Sequence, residues 1–126
     1  MLTWIFAGLL VYTIGLFLPS LFLIPKIGVP AYAGSRDNEP DASGLHGRAK
    51  RAHQNFMDTL PIFLAFGVAA MTMNSVDIAT ALLGAKLYVL ARAFYLPLYL
   101  MAVPWLRSIV WSVGALGLVL MGYALI

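Results

Sequence analysis

Residues 47–61 read GRAKRAHQNFMDTLP, carrying the chain from a polar loop into Ile62–Met73, a run that is almost wholly apolar. As a helix, this stretch sets Arg48, Arg51, Asn55 and Asp58 at i, i+3, i+7 and i+10, so the four share a face. In water that is an ordinary charged helix surface. In a membrane, ionisable groups are costly and tend to be kept where they do something.

The composition points to the membrane. The chain is 62% hydrophobic and 10% charged, with a mean hydropathy of +0.89, where soluble domains are roughly 25% charged. Its 126 residues match the length of one domain. The absence of cysteine removes disulfides, thiolate metal sites and cysteine nucleophiles. The net charge of +3 is small, and the cations gather beside apolar segments, which argues against a nucleic-acid partner.

Leu2 to Ile24 carries no charge and is apolar apart from Thr3, Thr13 and Ser20, long enough for a hydrocarbon core of about 30 Å. Ala31-Tyr32-Ala33 offers a cleavage-like pattern, but there is no basic start, the run is long, and Pro25-Lys26 precedes it. Glycine, proline and charge make 26–46 a surface loop. Three further spans follow at about 48–73, 76–102 and 105–126, separated by a turn at Asn74-Ser75 and a break at Pro104. Asp77 is expected in the first turn of the third span, where a carboxylate suits the helix dipole. The expected fold is all-α, a four-helix integral membrane subunit forming one domain.

Lys26, Arg36, Arg48, Lys50 and Arg51 flank the first loop, Arg107 flanks the third, and the second turn has no cation. The positive-inside rule puts the first and third loops in the cytoplasm and both termini outside. A short chain without a tail suits a bacterial inner membrane.

Asp58 lies about 15 Å along its helix from Arg48. With Asn55 it serves an interhelical salt bridge to Arg92 or Lys86, the wall of a polar pocket, or both at once. Lys50 reads as an anchor at the membrane surface. The third span offers a facing stripe, Tyr88, Arg92, Tyr95 and Tyr99, at i, i+4, i+7 and i+11. Lys86 points the other way near mid-membrane, and a carboxylate of a neighbouring helix or subunit is its expected partner. His53 sits off the Arg48–Asp58 face, and with His46 as the only other histidine no metal site assembles. Several cations around one carboxylate suit a small polyanion that also carries an amine. A zwitterionic peptide such as glutathione has those features, as does a lipid head group.

The run Arg48-x-x-Arg51-Ala52-His53-x-Asn55-x-x-Asp58-x-x-Pro61 resembles the signature of the MAPEG family, the membrane-associated proteins in eicosanoid and glutathione metabolism. Arg92-x-x-Tyr95-x-x-x-Tyr99 followed by Pro104-x-x-Arg107-Ser108 is similar to that family's second motif. The resemblance covers the whole chain, from four spans to a long first loop and a short second turn. It implies a homotrimer that binds glutathione as co-substrate between subunits and acts on lipophilic small molecules as a transferase, peroxidase or isomerase. By the same resemblance, Arg51, Asn55 and Asp58 grip the glutathione backbone, with Asp58 on its amine. Tyr95, Tyr99 and Arg107 come from the neighbouring chain, and Lys26 closes the site. Arg107 and Ser108 stabilise or activate the thiolate, while Arg48 and Arg92 hold the architecture.

The chain departs from the family pattern at Asp58, where glutamate is usual, at Gln54, where some members have a cation, at Tyr95, where histidine can occur, and at Trp111, where some relatives have tyrosine. Those departures bear most on eicosanoid synthesis. The other function in view is a non-catalytic membrane protein holding a lipid or anionic metabolite in the same pocket.

Overall fold

The computed structural model describes residues 1–126. Four long helices, α1 (Leu2–Ile27), α3 (Gly44–Thr72), α4 (Ile78–Leu100) and α5 (Pro104–Tyr123), run antiparallel in sequence, and a one-turn helix α2 (Val29–Ala33) interrupts the first loop. Each long helix has the length and apolarity to cross a membrane. The chain is therefore an integral, multi-pass membrane protein with an all-helical bundle fold.

Several helix ends differ from the sequence-based expectation. α1 continues through Pro19 and Pro25 to Ile27, because a proline removes one internal hydrogen bond without forcing a helix to stop. α3 starts at Gly44, so His46 and Gly47, both buried, belong to its first turn. Asp77 is the residue before α4, accepting hydrogen bonds from the Ala79 and Thr80 backbone N–H groups at 3.1 and 3.2 Å. Those bonds, with the Thr80 hydroxyl foremost, hold its carboxyl below its ordinary 3.8.

α4 lies at the centre, packing on α1, α3 and most extensively on α5, while α1 and α5 do not touch. The α4–α5 contact is built on glycine. A Cβ at Gly84 would sit 2.5 Å from the Gly117 carbonyl oxygen, and one at Gly117 would sit 2.6 Å from that of Gly84. Bare backbones at this crossing bring the helices close, the usual means of association where lipid tails compete with apolar side chains. The α1–α3–α4 core is aromatic: Tyr12 meets Phe56 edge-on at 5.8 Å, and Phe63 stacks on Tyr88 at 4.5 Å.

The outward faces are large and apolar, with Phe6 63% and Trp105 84% exposed. A surface of that kind fits hydrocarbon and not water. Two ends are distinguishable. The loop end holds residues 28–43 and the α4–α5 connection. The turn end holds residues 73–77 and both termini, and there the Asp77 N–H ties the turn to the C-terminal residues by donating to the Ala124 carbonyl at 3.1 Å.

Candidate functional site

At the loop end, α4 closes in a hydrogen-bonded reversal. Val103 N–H donates to the Leu98 carbonyl and Ala102 N–H to that of Tyr99, with Ala102 in the left-handed region at φ 59°. This is a Schellman closure with alanine where glycine is usual. It turns the chain within three residues and starts α5 at Pro104, so Arg107 lands beside the last turns of α4. The Arg107 guanidinium lies 4.7 Å from the centre of the Tyr99 ring, which in turn lies 5.4 Å from that of Tyr95. No side chain caps the first turn of α5 and no acidic residue occupies it. Its free N–H groups and dipole add positive potential to that of Arg107.

A cavity of about 320 Å³ opens here, lined by Asn55, Tyr95, Tyr99, Arg107, Ser108, Trp111 and Ser112. Five of the residues expected in the site thus meet inside one subunit. Tyr95, Tyr99 and Arg107 already face Asn55 of their own chain. The intimate α4–α5 contact carries both helices to the same side of α3.

Beneath the cavity lies Arg92, 3% exposed. Its Nη1 donates to Asn55 Oδ1 at 2.7 Å and its Nη2 to Thr59 Oγ1 at 2.8 Å, and Thr59 shares a 2.9 Å hydrogen bond with the Tyr88 hydroxyl. The rings of Phe56, Tyr88 and Tyr95 surround the guanidinium at 5.4 to 5.5 Å. Neither the Asp58–Arg92 nor the Asp58–Lys86 salt bridge forms, and no lysine or arginine lies within 4.0 Å of a carboxylate. Arg92 instead fixes the amide of Asn55 at the cavity wall, in keeping with an architectural role.

This arrangement makes a prediction. Asn55→Ala leaves the buried cation short of a partner and should cost about 1.5–3 kcal/mol, the range for a hydrogen bond to a charged group. Arg92→Leu removes the charge together with its desolvation cost, and leaves half-buried Thr59 still bonded to Tyr88, so it should cost less. Denaturant titration in detergent micelles checks the order, and a larger loss for Arg92→Leu would contradict it.

Three expected site residues lie elsewhere. Lys26 is exposed in the last turn of α1. Arg51 and Asp58 are exposed on α3, where Gln54 Nε2 donates to Asp58 Oδ1 at 3.1 Å. The cause is helix geometry. Residues seven apart differ by only about 20°, whereas a step of three turns the face by about 60°. Arg48 and Asn55 therefore form one sub-stripe and Arg51 and Asp58 another. The first turns inward, with both residues half-buried, and the second turns out of the subunit.

Trp111, Ser112 and Thr59 belong to the site and its support without having been expected there. Their signal lay in spacing: Ser112 follows Ser108 by four, and Thr59 follows Asn55 by four. The serines do not donate freely. Ser108 Oγ donates to the Pro104 carbonyl at 3.1 Å and Ser112 Oγ to that of Ser108 at 3.0 Å, leaving each hydroxyl able to accept. Arg107 is thus the cavity's cationic donor. No group of three or more histidine, cysteine, aspartate or glutamate side chains gathers anywhere to hold a metal.

Comparison with known proteins gives one positive result. The model of the MAPEG family matches residues 1–126, the full length of the chain. No curated protein and no solved structure matches significantly.

Proposed function

The chain belongs to the MAPEG family, and on that premise we propose that it is a glutathione-dependent membrane enzyme of the transferase or peroxidase type, acting on lipophilic electrophiles. The observation that carries the reading is the cavity in which Arg107 and the uncapped start of α5 face Asn55, Tyr95, Tyr99 and the acceptor oxygens of Ser108 and Ser112. Positive potential of this kind lowers a thiol's pKa, and the thiolate is the nucleophile. In conjugation the thiolate sulfur bonds to an electrophilic carbon while the leaving group departs with its electron pair. In peroxide reduction it attacks the O–O bond, giving an alcohol and a sulfenic acid that a second glutathione converts to the disulfide and water.

The proposed assembly is a homotrimer in a bacterial inner membrane, with the loop end cytoplasmic and glutathione reaching between subunits. Arg51, Gln54 and Asp58 support it, because they are exposed on a membrane-spanning helix and groups of this kind are normally covered within a membrane. A neighbouring subunit would cover them and bring its own Lys26 toward the site. Asp58 then takes the ligand's ammonium, and Arg51, Asn55, Tyr95 and Tyr99 its remaining polar groups.

The test is thermal melting of the detergent-purified protein with and without glutathione. A ligand that binds only the folded state adds about 2.7 kcal/mol of stability at a hundredfold excess over Kd. Stabilisation is expected in the parent, reduced in Asn55→Ala and absent in Asp58→Ala. No stabilisation of the parent by glutathione would refute the reading. A second reading, a non-catalytic protein that holds an anionic metabolite or lipid head group, gains support from Ser108, whose proton is committed to the Pro104 carbonyl. It predicts stabilisation without turnover of any chromogenic electrophile.

A further inference from the structure

The face of α4 opposite the site has no partner in the fold. Ala79, Leu83, Lys86, Leu90, Ala93 and Pro97 are all exposed and recur in steps of four, three, four, three and four. That is the spacing of a helix-packing seam, here a leucine on either side of Lys86 with an alanine beyond each, and a single polar residue in such a seam selects register and partner. Lys86 is that residue, and it forms no ion pair.

Its position is costly. Lys86 is eight residues from Ile78, so its backbone lies about 12 Å from the turn end of α4, against a hydrocarbon half-thickness of about 15 Å. Its side chain leans toward the helix N-terminus, here the turn end, but the four-carbon stem is shorter than the depth it must cover. A cation left there calls for an anion at its own depth.

A second copy of this chain does not supply one. Its five acidic residues are Asp37, Glu39, Asp41, Asp58 and Asp77. The first three belong to the opposite, loop end. Asp77 is at the turn end itself, engaged by the Ala79 and Thr80 N–H groups and the Thr80 hydroxyl. Asp58 is fourteen residues from Thr72, about 21 Å from the turn end, and so about 9 Å beyond Lys86 in the direction away from which its side chain leans. Rotation about an axis normal to the membrane preserves depth, so a symmetric assembly of these chains leaves Lys86 unmatched.

We propose that the Ala79–Pro97 seam is a docking face for a single transmembrane helix of another protein, one that carries a carboxylate opposite Lys86. Leu83 and Leu90 pack on either side of the ion pair, and Ala79 and Ala93 let the incoming backbone approach. The face is separate from the cavity of the proposed enzyme, and the inference stands without that activity.

The test uses the full-length protein in phosphatidylcholine vesicles and fluorescently labelled single-span peptides of leucine and alanine. One peptide has an aspartate at the depth of Lys86, one has leucine there, and one has the aspartate moved a full helical turn toward the loop end. Energy transfer should report at least tenfold tighter association of the matched aspartate peptide than of the other two. Lys86→Leu and Lys86→Gln should abolish that preference, while Ala93→Trp, remote from the charge, should weaken all three peptides. Equal association of the three peptides, or a preference that survives Lys86→Leu, would overturn the proposal. So would a stability difference between the parent and Lys86→Leu that appears on adding phosphatidylglycerol while no peptide binds, since the lysine would then serve a lipid head group.

Discussion

Arg107→Ala should lower kcat/KM for conjugation of glutathione to a chromogenic electrophile by roughly a hundredfold at pH 7, the scale of losing one charge-stabilising donor. The cause is specific to the thiolate. Arg107 sits over the Tyr99 ring at the mouth of a cavity that lacks any carboxylate, and both cavity serines direct their protons into their own helix. With the guanidinium gone, the start of α5 still supplies dipole and free N–H groups, so residual activity should remain. A free thiol ionises near pH 8.5. On the proposed mechanism Arg107 lowers the thiol pKa of bound glutathione, so the parent's rate should level off below that pH. The variant's rate should keep rising through it, and the gap between them should narrow in alkaline buffer. Arg107→Lys, which keeps a charge but loses the planar contact with Tyr99, should fall between the two. A deficit equal at pH 6.5 and pH 9.5 would mean that Arg107 binds glutathione without activating its thiol. Full activity in Arg107→Ala would remove it from the mechanism.

Gly84→Val should damage the fold severely, costing about 3 kcal/mol or more. Even the first added carbon would stand 2.5 Å from the Gly117 carbonyl oxygen and 2.9 Å from the Met121 backbone nitrogen. Neither can swing away as the tip of a side chain can, so α4 and α5 must part. Because α5 carries Arg107, Ser108, Trp111 and Ser112, the cavity should open with the crossing, and glutathione-dependent stabilisation should disappear even in conditions where the variant stays folded. Gly114→Ala is the contrast. Its new Cβ would meet only the Ala91 Cβ at 3.3 Å, a contact relieved by a small shift, and it should cost under about 1 kcal/mol. Unfolding in mixed micelles measures both. Equal losses would show that the glycine crossing is not what holds the two helices.

Much of this molecule is legible in its residues. The four spans follow from local apolarity, and the Tyr88–Arg92–Tyr95–Tyr99 stripe is buried much as its spacing predicts, only Tyr99 remaining half-exposed. The MAPEG motifs mark Asn55, Tyr95, Tyr99, Arg107 and Ser108, which share one cavity. Less legible was the division of labour on α3. Arg48, Arg51, Asn55 and Asp58 look equivalent on a helical projection, yet Asn55 meets Arg92 while Asp58 turns outward to Gln54. Trp111 stands out in the sequence only as a departure from the family pattern, and Ser112 not at all, because a serine or a tryptophan in a membrane span is an ordinary residue until something faces it.

The boundary between the two kinds of knowledge is physical. Helix existence, span length and the residues that share a stripe depend on neighbours along the chain, within a few turns, and the string of residues carries them in full. The rotation of each helix about its own axis depends on contacts between segments far apart in that string. Here the Gly84–Gly117 crossing and the Phe63–Tyr88 stack set those rotations. A turn of about 60° is the difference between Asn55 in the cavity wall and Asp58 outside it. No local pattern encodes that angle, because it is settled by how side chains from different helices fill one shared space.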